Sequence, residues 1–233
     1  GRIMIIRHPL PLLTKESKPI SISKTRTILL LQDLHAPFAD VANGLLIKQA
    51  RAKVIMREFE EYVELVNQMT PNIPLMLNAC REIGIPVIYS CLGIKGKEKL
   101  PPLLEAFGWE WNLQGPLGKF DPKWEPMDEE PVFVRGGWSA LTNIEFVGLL
   151  DNAKIANVLV MGTLLEYGIR QTTIELGDKG ISSLIISDGT AALTRFSQDF
   201  TSDSIAHGLI KLRSTGEILD ILDRCKRESS VLV

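Results

Sequence analysis

Asn157-Val-Leu-Val-Met-Gly-Thr-Leu-Leu-Glu-Tyr-Gly-Ile-Arg-Gln-Thr-Thr173 is the stretch that decides the fold. It opens as an apolar run with β-branched residues, breaks at Gly162, and resumes from about Glu166 to Gly177 as a segment that can be helical. A strand buried on both faces of a parallel sheet reads as such a run, and a glycine at its carboxyl end lets the chain turn into a helix. Ligands of open α/β sheets bind beyond the carboxyl ends of the strands. Any active site is therefore expected around residues 162 to 168, yet no nucleophile stands there.

Outward from this stretch, strand and helix patterns alternate. Ile155 to Met161 is the central strand, preceded by a helix over Asn143 to Asp151 and followed by Ser182 to Ser187, a strand that ends at Asp188. Upstream, Thr25 to Asp33 is an apolar strand ending in a carboxylate, Ala50 to Met69 has helical spacing, and Leu75 to Ile83 is a helix closed by Gly84, with Pro86 just beyond. Val87 to Cys91 and Val132 to Arg135 are further strands. Downstream, Thr201 to Ser214 reads as a helix, and Glu217 to Leu222 as a last strand or helical turn. This alternation, with no linker between halves, predicts one doubly wound α/β domain over residues 25–233. Residues 1–24 form an N-terminal extension in which Pro9, Pro11 and Pro19 prevent a long helix. The segment Leu92 to Pro131 is irregular and rich in proline, glycine and tryptophan, and reads either as a lid or oligomer contact or as a satellite apolar cluster.

The 233 residues are 45 % apolar and carry a net charge of −2 with acids and bases interspersed. This balance argues against a nucleic-acid surface or a polybasic membrane anchor. No apolar run reaches the roughly 18 residues of a membrane span, and the apolar core at the start is too short for a signal peptide. Cys80, Cys91 and Cys225 are an odd number with no short spacing, which points to neither disulfides nor a zinc knuckle but to a reducing cytoplasm. His8, His35 and His207 show no metal-ligand spacing, so no metal is expected. No GxGxxG follows the first strand, which argues against a dinucleotide cofactor.

The polar residues at strand ends are Asp33, Ser90 or Cys91, Arg135, the 162–168 turn and Asp188. Asp33 alone reads equally as a cap, Arg135 as half of an ion pair, and Asp188 as a turn residue. Four ordered segments give these positions a context. They are Leu29-Leu-Leu-Gln-Asp33 with Phe38; Gly84-Ile-Pro-Val-Ile-Tyr-Ser90; Val132-Phe-Val-Arg-Gly-Gly-Trp-Ser-Ala-Leu141; and Val158-Leu-Val-Met-Gly162 through Thr172, then Ile185-Ile-Ser-Asp-Gly-Thr-Ala-Ala192. Over residues 25 to 222 the set resembles the isochorismatase-like hydrolase superfamily, also called the cysteine hydrolases.

The resemblance implies a three-layer, Rossmann-like fold with a mainly parallel six-stranded sheet, a small-molecule substrate, no cofactor, and a homodimer or homotetramer. Its aspartate, lysine and cysteine triad falls on Asp33, Arg135 and Gly168. It also implies a cis peptide at Thr163-Leu164, backbone amides of Leu164 and Gly168 facing an oxyanion, and Phe38 and Trp138 as pocket walls. Gly168 excludes a thiolate attack. A glycine there resembles the true isochorismatases, where an aspartic acid protonates a vinyl ether and water adds; Asp33 would be that acid. The chain departs from that branch at Arg135 in place of lysine, Leu92 in place of a glutamine, and Leu164 and Glu166 in place of tyrosine and histidine. His35 replaces the family's common glutamine, and reads as structural or as pocket-lining. Glu166 reads either as a helix N-terminal carboxylate or as a second acid or base. The expected function is thus acid/base cleavage of a small anionic or carbonyl-bearing specialised metabolite by Asp33, with Arg135 holding the anion. The alternative is an inactive member serving as a binding or assembly module.

Overall fold

A computed structural model of the chain describes residues 8–15 and 18–233. Parts of the extension, residues 1–7 and 16–17, lie outside the described residues. In chain order the elements are α1 (Leu10–Leu13), β1 (Ser21–Ile22), β2 (Thr27–Gln32), α2 (Ala36–Ala39), α3 (Leu45–Ala52), α4 (Glu60–Met69), α5 (Asn72–Ile83) and β3 (Val87–Leu92). There follow α6 (Pro102–Phe107), β4 (Val132–Arg135), α7 (Ile144–Asn152), β5 (Asn157–Thr163), α8 (Arg170–Asp178), β6 (Ser182–Ala191), α9 (Arg195–Ile205), β7 (Ile210–Arg213), α10 (Thr215–Arg224) and β8 (Val231–Leu232).

Six strands form one parallel sheet in the order β4-β3-β2-β5-β6-β7. Both faces are buried, as the continuous apolar runs require. Leu29, Leu31, Leu159, Met161, Leu184 and Ile186 point to the layer of α4, α5 and α10, while Ile28, Leu30, Val158, Val160 and Ile185 point to that of α7, α8 and α9. The expected three-layer α/β fold is therefore present. β1 pairs antiparallel with β8, and Ile20 and Ile22 enter the first of these core layers, so packing begins inside the segment read as an extension.

Four helices end in the same way. At α3, α5, α7 and α8 a residue with positive φ (Val54, Gly84, Lys154, Gly180) is followed by an isoleucine whose amide bonds back to the helix: Ile55 to Ala50, Ile85 to Cys80, Ile155 to Leu150 and Ile181 to Leu176. This is the Schellman geometry. Gly84 was the predicted stop, but Val54, at φ +58°, carries no such signal, so the helix expected over Ala50 to Met69 is really two, α3 and α4 with a 3₁₀ turn between.

Two more expectations need correction. Thr201 to Ser214 is not a helix; α9 starts early, on the Thr194 hydroxyl that accepts the Ser197 amide, and ends at Ile205. The chain turns at Gly208 (φ +61°) and forms β7, the sixth strand. β6 does not stop at Ser187 but continues to Ala191, so Asp188 is a strand residue whose Oδ1 accepts from the Thr215 amide and hydroxyl. Residues 217–222 are helical, within α10, which begins on a Ser214–Glu217 capping box. Among the described residues no helix is long and apolar enough to cross a membrane.

Candidate functional site

The carboxyl ends of β4, β3, β2 and β5 lie side by side. Asp33 follows β2 with φ +53°, which turns its side chain back over the sheet edge. Arg135 ends β4 and reaches across β3 to it. Nη1 lies 2.9 Å from Oδ1 and Nη2 lies 2.6 Å from Oδ2, a bidentate ion pair. Oδ1 also accepts the Leu92 amide at 2.7 Å. The remaining guanidinium donors go to the Trp138 carbonyl (Nη2 at 3.0 Å, Nε at 3.3 Å) and to the Ser90 hydroxyl at 3.3 Å. Both side chains are closed to water, at 1 % and 0 % relative exposure.

The turn after β5 carries the expected cis peptide, Thr163-Leu164. Thr163 is tied to Asp33 by its hydroxyl, which donates to the Asp33 carbonyl at 2.8 Å. Leu165–Ile169 then form one π-helical turn before α8, rather than the start of an ordinary helix. Leu164 and Gly168 are both buried. A Cβ at residue 168 would lie 2.7 Å from Gln32 Nε2, 3.2 Å from the Trp138 carbonyl oxygen and 3.3 Å from Arg135 Nη2. The space of a side chain at 168 is thus filled by Gln32 and by the guanidinium. Gln32 is fixed in turn: its Nε2 donates to the Trp138 carbonyl at 3.1 Å and its Oε1 accepts from the Thr172 hydroxyl at 2.9 Å. Thr172 also accepts the Ala140 amide.

Aromatic rings close the space above. Trp138 stacks on Tyr167 at 4.9 Å and meets Trp109 edge-on. Trp109 stacks between Phe107 and Trp111, and Trp111 meets Phe38 edge-on at 5.0 Å. Trp111 and Trp124 of the irregular segment belong to the main core, not to a satellite cluster.

The other candidates take distinct places. His35 is fully buried; its Nε2 lies 3.1 Å from the Leu92 carbonyl, so Nε2 carries the proton and Nδ1 is an acceptor. Burial lowers its pKa to about 4, against the pull of the Asp33 charge, so it is neutral at pH 7. Nδ1 finds no partner among the described residues; neither does the buried Trp111 Nε1. Glu166 lies in the first turn of the π-helical segment that leads into α8, as a helix N-terminal carboxylate would. Its Oε1 accepts the Leu193 amide at 2.8 Å, its Oε2 is unpartnered, and burial pushes its carboxyl up. Tyr62, passed over in the sequence, donates to the Phe38 carbonyl and feels the charges of Asp33 and Glu166. Its one signal was a lone tyrosine on the apolar face of α4. Gln32, a polar residue inside an apolar strand, was the plainer signal missed.

The three cysteines are free and buried, and none is on the turn. Burial raises the thiols of Cys80, to about 12, and of Cys91, which is the opposite of an activated nucleophile. No group of His, Cys, Asp and Glu suited to a metal ion occurs among the described residues.

The fold is shared with solved structures. A cysteine hydrolase from Pseudomonas syringae pv. phaseolicola 1448A superposes with a TM-score of 0.72 at 15 % identity, over 91 % of this chain and 99 % of that one. An isochorismatase family protein from Desulfovibrio vulgaris subsp. vulgaris str. Hildenborough gives 0.68 at 19 %, over 85 % and 99 %. The MAR1 ribonuclease from Caenorhabditis elegans gives 0.60 at 16 %, over 85 % and 81 %. No curated protein matches the chain. The isochorismatase domain model, however, matches residues 27–217, from the first residue of β2 into α10. That span takes in all six strands of the parallel sheet, and the chain belongs to the isochorismatase family.

Proposed function

We propose that this chain is a family member that has given up hydrolysis: the Asp33–Arg135 pair is a structural clasp, and the domain works by binding. The observation that supports this reading is the bidentate pair itself. An aspartic acid that protonates a substrate must carry a proton on an oxygen that faces the substrate. Here three N–H donors occupy the two Asp33 oxygens, and no water reaches them. Arginine keeps its protons at ordinary pH, so it cannot relay one. Covalent chemistry has no nucleophile at residue 168, and the clasp and Gln32 fill the space one would need.

A second reading, non-covalent hydrolysis, draws support from Glu166. Burial raises its carboxyl and leaves one oxygen without a partner, which makes it the candidate proton donor among these residues. The two readings separate in one experiment. The purified protein is assayed against isochorismate, simple vinyl ethers and primary amides, beside Asp33→Asn and Glu166→Gln. The binding reading expects no turnover by any of the three proteins. Turnover that Glu166→Gln abolishes while the protein still melts cooperatively would establish hydrolysis and overturn the clasp.

A further inference from the structure

Beside Phe120 lies a cleft that Asp33, Arg135 and Gly168 do not line. It has a volume of about 560 Å³, within the range of small-molecule sites. One wall runs from the end of β2 through α2 to Ala42, another is drawn from residues 116–124, and Asn67 and Thr70 at the end of α4 complete the lining. The first two walls are locked together. The Ala36 amide donates to the Lys119 carbonyl at 2.8 Å, and Trp124 Nε1 donates to the Leu34 carbonyl at 3.0 Å. The cleft is therefore preformed rather than a gap between loose loops.

Its chemistry has three parts. The apolar surface comes from Leu34, Val41, Phe120 and Trp124. Lys119 and Lys123 stand exposed at the rim, and neither joins an ion pair among the described residues. The third part is His35, which also lines the cleft and whose Nδ1 is a buried acceptor without a donor. Buried acceptors in native proteins are almost always satisfied, so an orphan one asks for a donor. His35 shows no surface to water and its ring lies 6.3 Å from that of Phe120, so access to Nδ1 from the cleft would require the Phe120 ring to move.

Two aspartates share the rim. Asp40 Oδ1 accepts the Ala42 and Asn43 amides and Asp121 Oδ1 accepts the Lys123 amide, which shapes the two loops. With two carboxylates beside two ammonium groups the rim is neutral overall. Polyanions are then repelled as much as drawn, and one anionic group is the most the lysines can hold.

We propose that this cleft, lined by His35, Phe120, Lys119 and Lys123, binds a small monoanion with an apolar body and one N–H or O–H donor. The lysines take the anion, the Phe120–Trp124 wall takes the body, and His35 Nδ1 takes the donor. The site is separate from the Asp33–Arg135 clasp and stands whether or not the protein proves to be a hydrolase.

8-Anilinonaphthalene-1-sulfonate has this composition: one sulfonate, two aromatic units and one N–H. Titrated into the full, cooperatively folded chain, it is expected to bind saturably at one site. The double variant Lys119→Gln/Lys123→Gln changes only exposed residues and should weaken it roughly fivefold. N-phenyl-1-naphthylamine, the same body without the sulfonate, should bind the wild type about as weakly as the variant binds the sulfonate. The ¹⁵N resonance of His35 Nδ1 should move on saturation, a readout that needs no substitution at the histidine. The proposal is overturned if binding does not saturate, if the lysine variant and the uncharged probe bind as tightly as the wild type binds the sulfonate, or if His35 Nδ1 does not move. Loss of binding in Trp138→Ala with the lysine variant unaffected would equally overturn it, by placing the probe under the aromatic roof.

Discussion

At Asp33 every charged atom has a partner; at His35, two residues further on, one ring nitrogen has none. Both side chains are fully buried, and both follow the same strand. The first region is built as the interior of a protein is built. Asp33, Arg135, Gln32, Thr172 and the Trp138 carbonyl form one closed network of donors and acceptors. The second, the ring cluster of His35, Phe38 and Trp111, keeps an acceptor and an indole donor idle. A closed network resists change and offers a ligand nothing. An open one costs stability until something binds. The closed network and the unspent polar capacity thus lie side by side at the end of β2.

The contrast breaks most visibly at the clasp. Removing one partner of a buried ion pair leaves the other charge stranded, at a cost of about 3–5 kcal/mol, whereas replacing both with apolar residues is often close to neutral. Asp33→Leu and Arg135→Met should each lower the melting temperature by roughly 10 °C, and the double variant Asp33→Leu/Arg135→Met should recover most of that loss. Denaturant melts of the four proteins give the coupling directly. Additive losses, with no recovery in the double variant, would mean that the pair is not a clasp.

His35 should make itself felt through pH. Its folded pKa, about 4, lies below the ordinary imidazole value of 6.5. Between these values the unfolded chain binds a proton that the folded one refuses, so stability falls as pH drops from 6.5 toward 4 and is fully present above 6.5. The difference is worth roughly 3 kcal/mol at full extent. His35→Gln, which installs the family's usual residue, should flatten the pH dependence of stability over that window. An unchanged slope would show that the imidazole is protonated in the fold and that Nδ1 is no idle acceptor.

Much of this was legible in the sequence because it depends on runs and single residues. The β2, β3, β4 and β5 strands follow from apolar stretches, and Gly84 from its place between Ile83 and Pro86. Asp33 and Arg135 were legible as charges at strand ends, but not that Arg135 reaches across β3 to pair with Asp33. The parts that were not legible depend on geometry that no residue type announces. Val54 and Lys154 take the left-handed turn that glycine favours, and so the break between α3 and α4 was read through. β7 is four residues long and carries no run, and only Gly208 marks the end of the helix before it. The saturation of the clasp rests on the Trp138 carbonyl and the Leu92 amide, backbone groups common to every sequence. The same holds for the idle Nδ1 of His35: an absence of partners is a property of the packing alone.

The smallest effect tests the contrast most cleanly, because it compares one residue type in the two conditions. Thr172 and Thr27 are both fully buried threonines. The Thr172 hydroxyl donates to Gln32 Oε1 and accepts the Ala140 amide, at 2.9 and 2.8 Å. The Thr27 hydroxyl, at the opposite end of β2, has no partner among the described residues. Valine keeps the shape of threonine and removes the hydroxyl. Thr172→Val strands an amide and a carbonyl in the closed network and should cost about 1–3 kcal/mol. Thr27→Val strands nothing. It removes a hydroxyl that is already unpaid for its burial, so it should leave stability unchanged or raise it by up to about 1 kcal/mol. Paired thermal melts read both values. Equal losses at the two positions would mean that shape, rather than hydrogen bonding, decides both, and the distinction between closed and idle polar groups would then carry no energetic weight in this molecule.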